Sequence, residues 1–281
     1  MNNSFYIVSL VALLFFLAGL GFKISMAPFH MWAPDVYEAA PTPVTAFLTV
    51  GPKALGFAVL IRILATAFSW ISWKWSGIIM LLSILTMTLG NVVAISQTNI
   101  KRLLAYSSIA QAGYILMGVA VFSEIGLTGV LIYLVAYTFT NLGAFIAVII
   151  ASNHFGDDAI QSYSGLGKRA PFLAASLTIF LLSLAGIPPL GGFIGKFYVF
   201  SGAIQSGFYS LAIAAALNSA VAAFYYFKIV RLMYLSPATH IDPIPHPFPL
   251  MLALGLMLAG TVLLGLMPAR LISFVQSLLL V

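Results

Sequence analysis

Three lysines stand inside or beside long apolar stretches: Lys23 in GLGFKISMAPFH, Lys53 in TVGPKALGF and Lys196 in PPLGGFIGKFYVF. A lysine at the centre of a membrane helix costs at least about 2.5 kcal/mol on insertion scales, so it normally faces a protein interior or a wet cavity. Removing water disfavours the charged form of an amine, and an amine that is not permanently charged can bind and release protons. The chemistry within reach of these residues is proton relay. The plain alternative is snorkelling, in which the stem lies on apolar surface and the ammonium reaches the interface. That alternative suits Lys23, late in its stretch unless a helix runs on through Trp32, better than it suits Lys53, about nine residues into its own. Arg62, farther along the same stretch, reads as a snorkelling or lipid-facing side chain.

Lys196 follows Gly186, Pro188, Pro189, Gly191, Gly192 and Gly195 inside one apolar stretch. Each proline removes an amide donor and the glycines relax the backbone, so a helix break is expected there, and Pro28 marks another just after Lys23. Broken helices expose backbone dipoles at membrane depth, where they line ion or water paths; a simple turn between two re-entrant pieces is the alternative. Lys101 and Arg102 open a further stretch in which Tyr106, Ser107, Ser108 and Gln111 follow at helical spacing. Interfacial anchoring and ordinary helix hydrogen bonding explain these, with a hydrated path beginning at Lys101 as the minority reading.

The segment from Pro28 to Pro43 holds His30, Asp35 and Glu38 among four prolines. Its spacing is no standard metal-ligand pattern, so it reads as a polar connecting loop whose carboxylates pair with nearby cations. His154, His240 and His246 read as solvated loop residues. With no cysteine the chain offers no disulfide, thiolate metal site or iron-sulfur ligand. No cofactor is expected in this chain.

The elements that must position these residues follow from composition. Of 281 residues 62% are hydrophobic and 6% charged, and mean hydropathy is +1.10, far too few charges to coat a water-facing surface. About eight windows are long enough to span a bilayer: 5–27, 44–68, 77–96, 103–122, 127–151, 172–201, 208–230 and 248–267. Helices are the default in lipid, so the expected fold is all-α, a polytopic transmembrane bundle with broken helices. Trp70, Trp73 and Trp75 around Lys74 mark a membrane surface. The net charge of +6 reads as loops facing anionic lipid rather than nucleic acid. One end of the bundle collects Lys101, Arg102, Lys168, Arg169, Lys228 and Arg231, the other Lys74 and Arg270. By the positive-inside rule the richer end is cytoplasmic and both termini are external. Met1 to Tyr6 lacks the basic region of a signal peptide, so the first window reads as a retained span. The apolar tail from Leu271 either extends the last span or lies along the interface.

Three stretches, FKISMAPFHMWAPDVYEAAPTPVTAFLTVGPKA, NIKRLLAYSSIAQAGYILMG and GIPPLGGFIGKFYVF, together resemble the antiporter-like subunits of respiratory complex I, a family shared with multi-subunit cation/proton antiporters. The pattern PFHMWAPDVYEAAPTPV followed by TVGPKA is similar to subunit N rather than L or M. The resemblance implies proton translocation across a bacterial inner membrane, coupled to electron transfer from NADH to quinone. It also implies partners in the complex I membrane arm, with NADH and quinone handled by other subunits. It makes Lys23 the central lysine of one broken helix, Lys53 a connecting lysine, Lys196 the terminal lysine of a second broken helix and Lys101 a further position on a polar axis. Residues 1–70 would then end a first repeat, 71–235 form a second and 236–281 add a last span and tail. Two departures stand out: the chain begins near the end of the first repeat, and several relatives have histidine where this chain has Gln111. A cation/proton antiporter subunit and a non-conducting scaffold are the alternatives.

Overall fold

The structure, a computed structural model, describes residues 3–237, 244 and 247–279, with only the backbone at residues 3–5, 73 and 279. His240 and His246 lie outside the described residues. Twelve helices follow one another among those described: α1 Asn3–Ile24, α2 Trp32–Ala39, α3 Thr42–Thr66, α4 Ser72–Ile95, α5 Ile100–Val121, α6 Glu124–Phe155, α7 Leu166–Arg169, α8 Pro171–Ala185, α9 Gly191–Gln205, α10 Tyr209–Leu235, α11 Phe248–Leu266 and α12 Ala269–Leu279. Seven are long and apolar enough to cross a membrane. The remaining window, expected to break, is divided into α8 and α9 at Gly186 to Leu190. The fold is the expected all-α polytopic bundle.

Helix ends carry the local signals that explain them. The Asn99 side chain caps α5 by accepting from the amides of Lys101 and Arg102, and Ser123 caps α6 by accepting from Gly126 N. Gly156 closes α6 and Gly186 closes α8, both with positive φ that glycine adopts without strain. α5 lies at the centre with nearly every side chain buried. It packs against α4 through glycines: a Cβ on Gly113 would stand 2.5 Å from Met87 N, and one on Gly90 2.6 Å from Ala110 N. α6 and α9 approach through Gly129 and Gly195 in the same manner, since small residues allow backbones to close up where lipid gives no hydrophobic drive.

Polar contacts gather at one end of the bundle, where the starts of α5 and α8 meet the ends of α2, α6 and α10. There Ile100 N donates to Asp158 O at 2.8 Å, Ile160 N to Thr98 O at 2.8 Å and Gly165 N to Leu232 O at 3.3 Å. Large apolar side chains face outward along the walls, among them Phe15, Phe47, Leu217 and Phe224, as a lipid-facing bundle requires.

The structure sharpens three expectations. The segment 28–43 is not a polar loop: α2 occupies half of it, Tyr37 is fully buried, and Pro34 is tolerated because it falls in the first helical turn. Trp75 is only 1% exposed and donates Nε1 to Phe68 O at 2.9 Å, so of the Trp cluster this ring is enclosed by protein while Trp70 is exposed. Of the two alternatives for the tail, the structure does not extend the last span: α11 ends at Leu266, and α12 follows Met267 and Pro268 as a separate helix packed on α6, with Val275 buried.

Candidate proton-relay site

Lys53 belongs to α3, one residue after Pro52. Proline lacks the N–H that would reach Leu48 O, and the Tyr37 hydroxyl on α2 donates to that carbonyl at 3.3 Å. The break in the ladder is thus satisfied from outside the helix. Lys53 is 2% exposed, and its Nζ donates to Ser108 O at 2.8 Å and Ser108 Oγ at 2.9 Å on α5. Among the described residues no carboxylate pairs with it.

Lys196 sits in α9 just beyond the expected break and is 5% exposed. α8 ends at Ala185, and a helix end leaves its last carbonyls without intrahelical partners. Lys196 Nζ donates to one of them, Ala185 O, at 3.0 Å and to Ser219 Oγ at 3.3 Å, and stands 4.3 Å from the centre of the Tyr114 ring. Gly186 is required there twice over: its φ is +89°, and a Cβ would stand 2.7 Å from Lys196 Cδ. Gly192 N donates to Ser183 Oγ at 3.0 Å, tying α9 back onto α8 across Pro188, Pro189 and Gly191.

Between the two lysines lies a buried ladder of neutral groups. Ser107 Oγ bonds the Tyr226 hydroxyl. Gln111 Nε2 donates to Leu184 O at 3.0 Å and Tyr226 OH at 3.4 Å, while Gln111 Oε1 accepts from the Tyr133 hydroxyl. Leu184 O and Ala185 O are successive carbonyls, so Gln111 and Lys196 grip the same end of α8. A second cluster joins Tyr225 OH to Asn91 Oδ1 at 3.1 Å, Asn91 Nδ2 to Tyr114 OH at 3.2 Å and to Asn218 Oδ1 at 3.3 Å. Through Tyr114 this cluster touches Lys196, and the Tyr225 and Tyr226 rings, 4.4 Å between centres, link it to the first ladder. Sequence reading passed over these tyrosines and asparagines. The available signal was polar Asn91 and Asn218 inside apolar windows.

The other expected site residues lie apart from this pair. Lys23 occupies the last turn of α1 before the break that contains Pro28 and is exposed on this chain. Its stem passes Gly56 of α3. Lys101 lies at the polar end of the bundle, paired with Asp158 Oδ2 at 3.0 Å and donating to Ala40 O at 3.3 Å. Arg102 pairs with Asp35 at 2.8 Å and Glu38 at 2.6 Å, as expected of those carboxylates. Arg62 is exposed. His154 is not a loop residue: it falls in the last turn of α6, partly buried, 3.3 Å from Arg169 Nη2. His30, in the turns before α2, is 5% exposed, and burial holds its ring below the ordinary value of 6.5.

Residues 1–222 match the family described as NADH:quinone oxidoreductase/Mrp antiporter, transmembrane. NADH-quinone oxidoreductase subunit N of Trichlorobacter lovleyi is 47% identical over 270 residues, covering 95% of this chain and 55% of that protein. A chain of respiratory complex I from Thermus thermophilus superposes with a TM-score of 0.78 at 33% identity, covering 92% of this chain and 57% of its own length. A chain of the Mrp complex from Dietzia sp. shares the fold, with a TM-score of 0.87 at 24% identity over 93% of this chain and 57% of that one. The chain spans about half the length of the curated relatives it matches. With its bundle, its broken α8–α9 helix and its match over most of its length, the chain belongs to the NADH:quinone oxidoreductase/Mrp antiporter transmembrane family.

Proposed function

We propose that this chain is the C-terminal part of a proton-translocating membrane subunit of an NADH:quinone oxidoreductase, of the subunit N type. The observation that carries it is the pair Lys53 and Lys196, each almost wholly buried and held by neutral acceptors, with a ladder of buried hydrogen-bonding groups between their two sites. An ammonium without a carboxylate partner in a dry interior is costly, so each site is poised to exchange its proton. A proton on one lysine raises the cost of a proton on the other, and this coupling lets a charge change made elsewhere be passed along the membrane. Lys23 and Lys101 extend the line towards other parts of the assembly.

In this reading residues 1–70 close a first repeat, 71–235 form a second, and 236–281 supply a last span and tail. The chain carries protons, and electrons from NADH to quinone pass through other subunits of the membrane arm and its redox partners. It therefore needs no cofactor of its own. The membrane is a bacterial inner membrane, with the Lys101 end cytoplasmic and both termini external. The 47% identity to a subunit N favours this over the antiporter reading.

The test is Lys53→Ala and Lys196→Ala in an assembled complex. Lys53→Ala lowers proton pumping and quinone-linked turnover together, because a coupled enzyme cannot pass electrons freely against a blocked pump. Lys53→Arg does not rescue fully, since arginine does not readily lose its proton. Lys196→Ala gives a weaker defect if other subunits offer parallel routes, and Arg62→Ala stays close to wild type. Wild-type turnover and wild-type proton-to-electron ratio in both assembled alanine variants would remove the case for a relay.

A further inference from the structure

The last turns of α10 carry a feature that the proton path does not use. Phe224, Phe227 and Tyr234 are exposed there, and Lys228 and Arg231 are exposed among them. Neither cation makes a hydrogen bond or ion pair among the described residues, whereas Lys101 and Arg102 at the same end of the bundle are both held by carboxylates. An apolar groove of about 890 Å³ runs beside Phe224, Phe227 and Leu235. A smaller cavity of about 220 Å³ opens at the end of the bundle between Gln97, Thr98 and Gln161. Lys228 lines both.

The groove and the smaller cavity share one ammonium, and an apolar groove bordered by a pair of exposed cations describes the outline of an amphiphile with an anionic head. Residues three apart on a helix lie on one face, so Lys228 and Arg231 can both reach a single phosphate. The side-chain amide of Gln161, which donates one hydrogen to Ser164 Oγ at 3.3 Å, adds a neutral donor on the cavity side of Lys228, while the Gln97 amide is taken up by Val93 O and Ser96 Oγ. The helix dipole favours cations only in the last turn, and α10 carries no basic residue there, so it accounts for neither cation nor for the cavity that joins the groove at Lys228. Depth agrees as well, because this is the end where Gly165 N meets Leu232 O and the polar loops gather.

We propose that the end of α10 binds a membrane phospholipid with an anionic headgroup, its phosphate between Lys228 and Arg231 and an acyl chain along Phe224 and Phe227. Anionic lipid attracts basic residues near the membrane surface strongly enough to give about fivefold preference per cation. The site stands independently of the proton-relay reading.

The whole chain, reconstituted in phosphatidylcholine bilayers, is tested with spin-labelled phosphatidylglycerol and spin-labelled phosphatidylcholine. The wild type is expected to restrict the anionic label several-fold more strongly. Lys228→Gln combined with Arg231→Gln brings the ratio close to one, and Arg62→Gln, which removes an exposed cation elsewhere, leaves it high. A tryptophan introduced as Phe227→Trp should be quenched more by brominated phosphatidylglycerol than by brominated phosphatidylcholine, which reads the site without removing its charges. The proposal is overturned by unchanged selectivity in the double variant, by equal quenching from the two lipids, or by displacement of the anionic label with inorganic phosphate, which would mark a soluble-anion site. Cross-linking of a cysteine at position 227 to another subunit in an assembled complex would assign the groove to protein and overturn it as well.

Discussion

Gln111 should hold the centre of the bundle together, and the geometry sets how much its loss costs. Leu184 O can only accept, so the amide nitrogen of Gln111 must face it, which leaves Oε1 for the Tyr133 hydroxyl. The Tyr226 hydroxyl then accepts from Gln111 and shares a second hydrogen bond with Ser107 Oγ. Gln111→Leu keeps most of the volume but strands the Tyr133 hydroxyl and the side of Leu184 O that Gln111 occupied. Tyr226 keeps Ser107. A buried polar group left without its partner costs about 1–3 kcal/mol, while side-chain hydrogen bonds inside membrane proteins average about 0.6 kcal/mol. Two such groups place the destabilisation between about 1 and about 6 kcal/mol. The assay is thermal unfolding of the purified chain in detergent, followed by circular dichroism and by loss of the folded peak in size exclusion. The double variant Gln111→Leu with Tyr133→Phe removes one stranded group, so its cost should be smaller than the sum of the two single costs. Wild-type unfolding of Gln111→Leu, or strict additivity of the pair, would refute the idea that this amide is locked between two partners.

Further expectations can be checked with the same material. Gly192→Ala should destabilise severely or prevent folding, because the new Cβ would fall 2.0 Å from Ser183 O, whereas Gly19→Ala, with nothing within 4 Å, should unfold at or slightly above the wild-type temperature. Burial keeps the His30 ring below its unfolded value of 6.5, so the unfolded chain binds more protons in acid; this contribution to stability is present above about pH 6.5 and is lost as the pH falls through the lower folded value. His30→Gln should flatten that slope in unfolding measurements made between pH 7 and pH 5. A cysteine replacing exposed Lys168 should react with an impermeant maleimide only after cells are opened; labelling in intact cells would reverse the assigned orientation.

Much of this protein is written in local sequence. Apolar windows of bilayer length, and a Pro-Gly cluster that no helix can cross, dictated the helices and the division of α8 from α9, because both depend on hydropathy and backbone chemistry within a short segment. The same local logic picked out Lys53 and Lys196, since a cation deep in an apolar run must find an interior. It left Lys23 and Lys101 open between interface and interior, because which face of a helix end is covered, and whether a carboxylate such as Asp158 stands within reach, depends on segments distant in the chain. It misjudged the segment 28–43, because a short helix rich in proline is held by tertiary contacts such as the Tyr37 bond to Leu48 O rather than by its own propensity. The ladder through Ser107, Gln111, Tyr133 and Tyr226 was decided only in three dimensions. Its members come from α5, α6 and α10, and a hydrogen bond exists only where packing brings donor and acceptor within about 3 Å of one another. Sequence alone thus determined a membrane bundle with buried lysines, while tertiary packing decided which lysines are enclosed and what they touch, since burial and hydrogen-bond partnership belong to the assembled helices and not to any one of them.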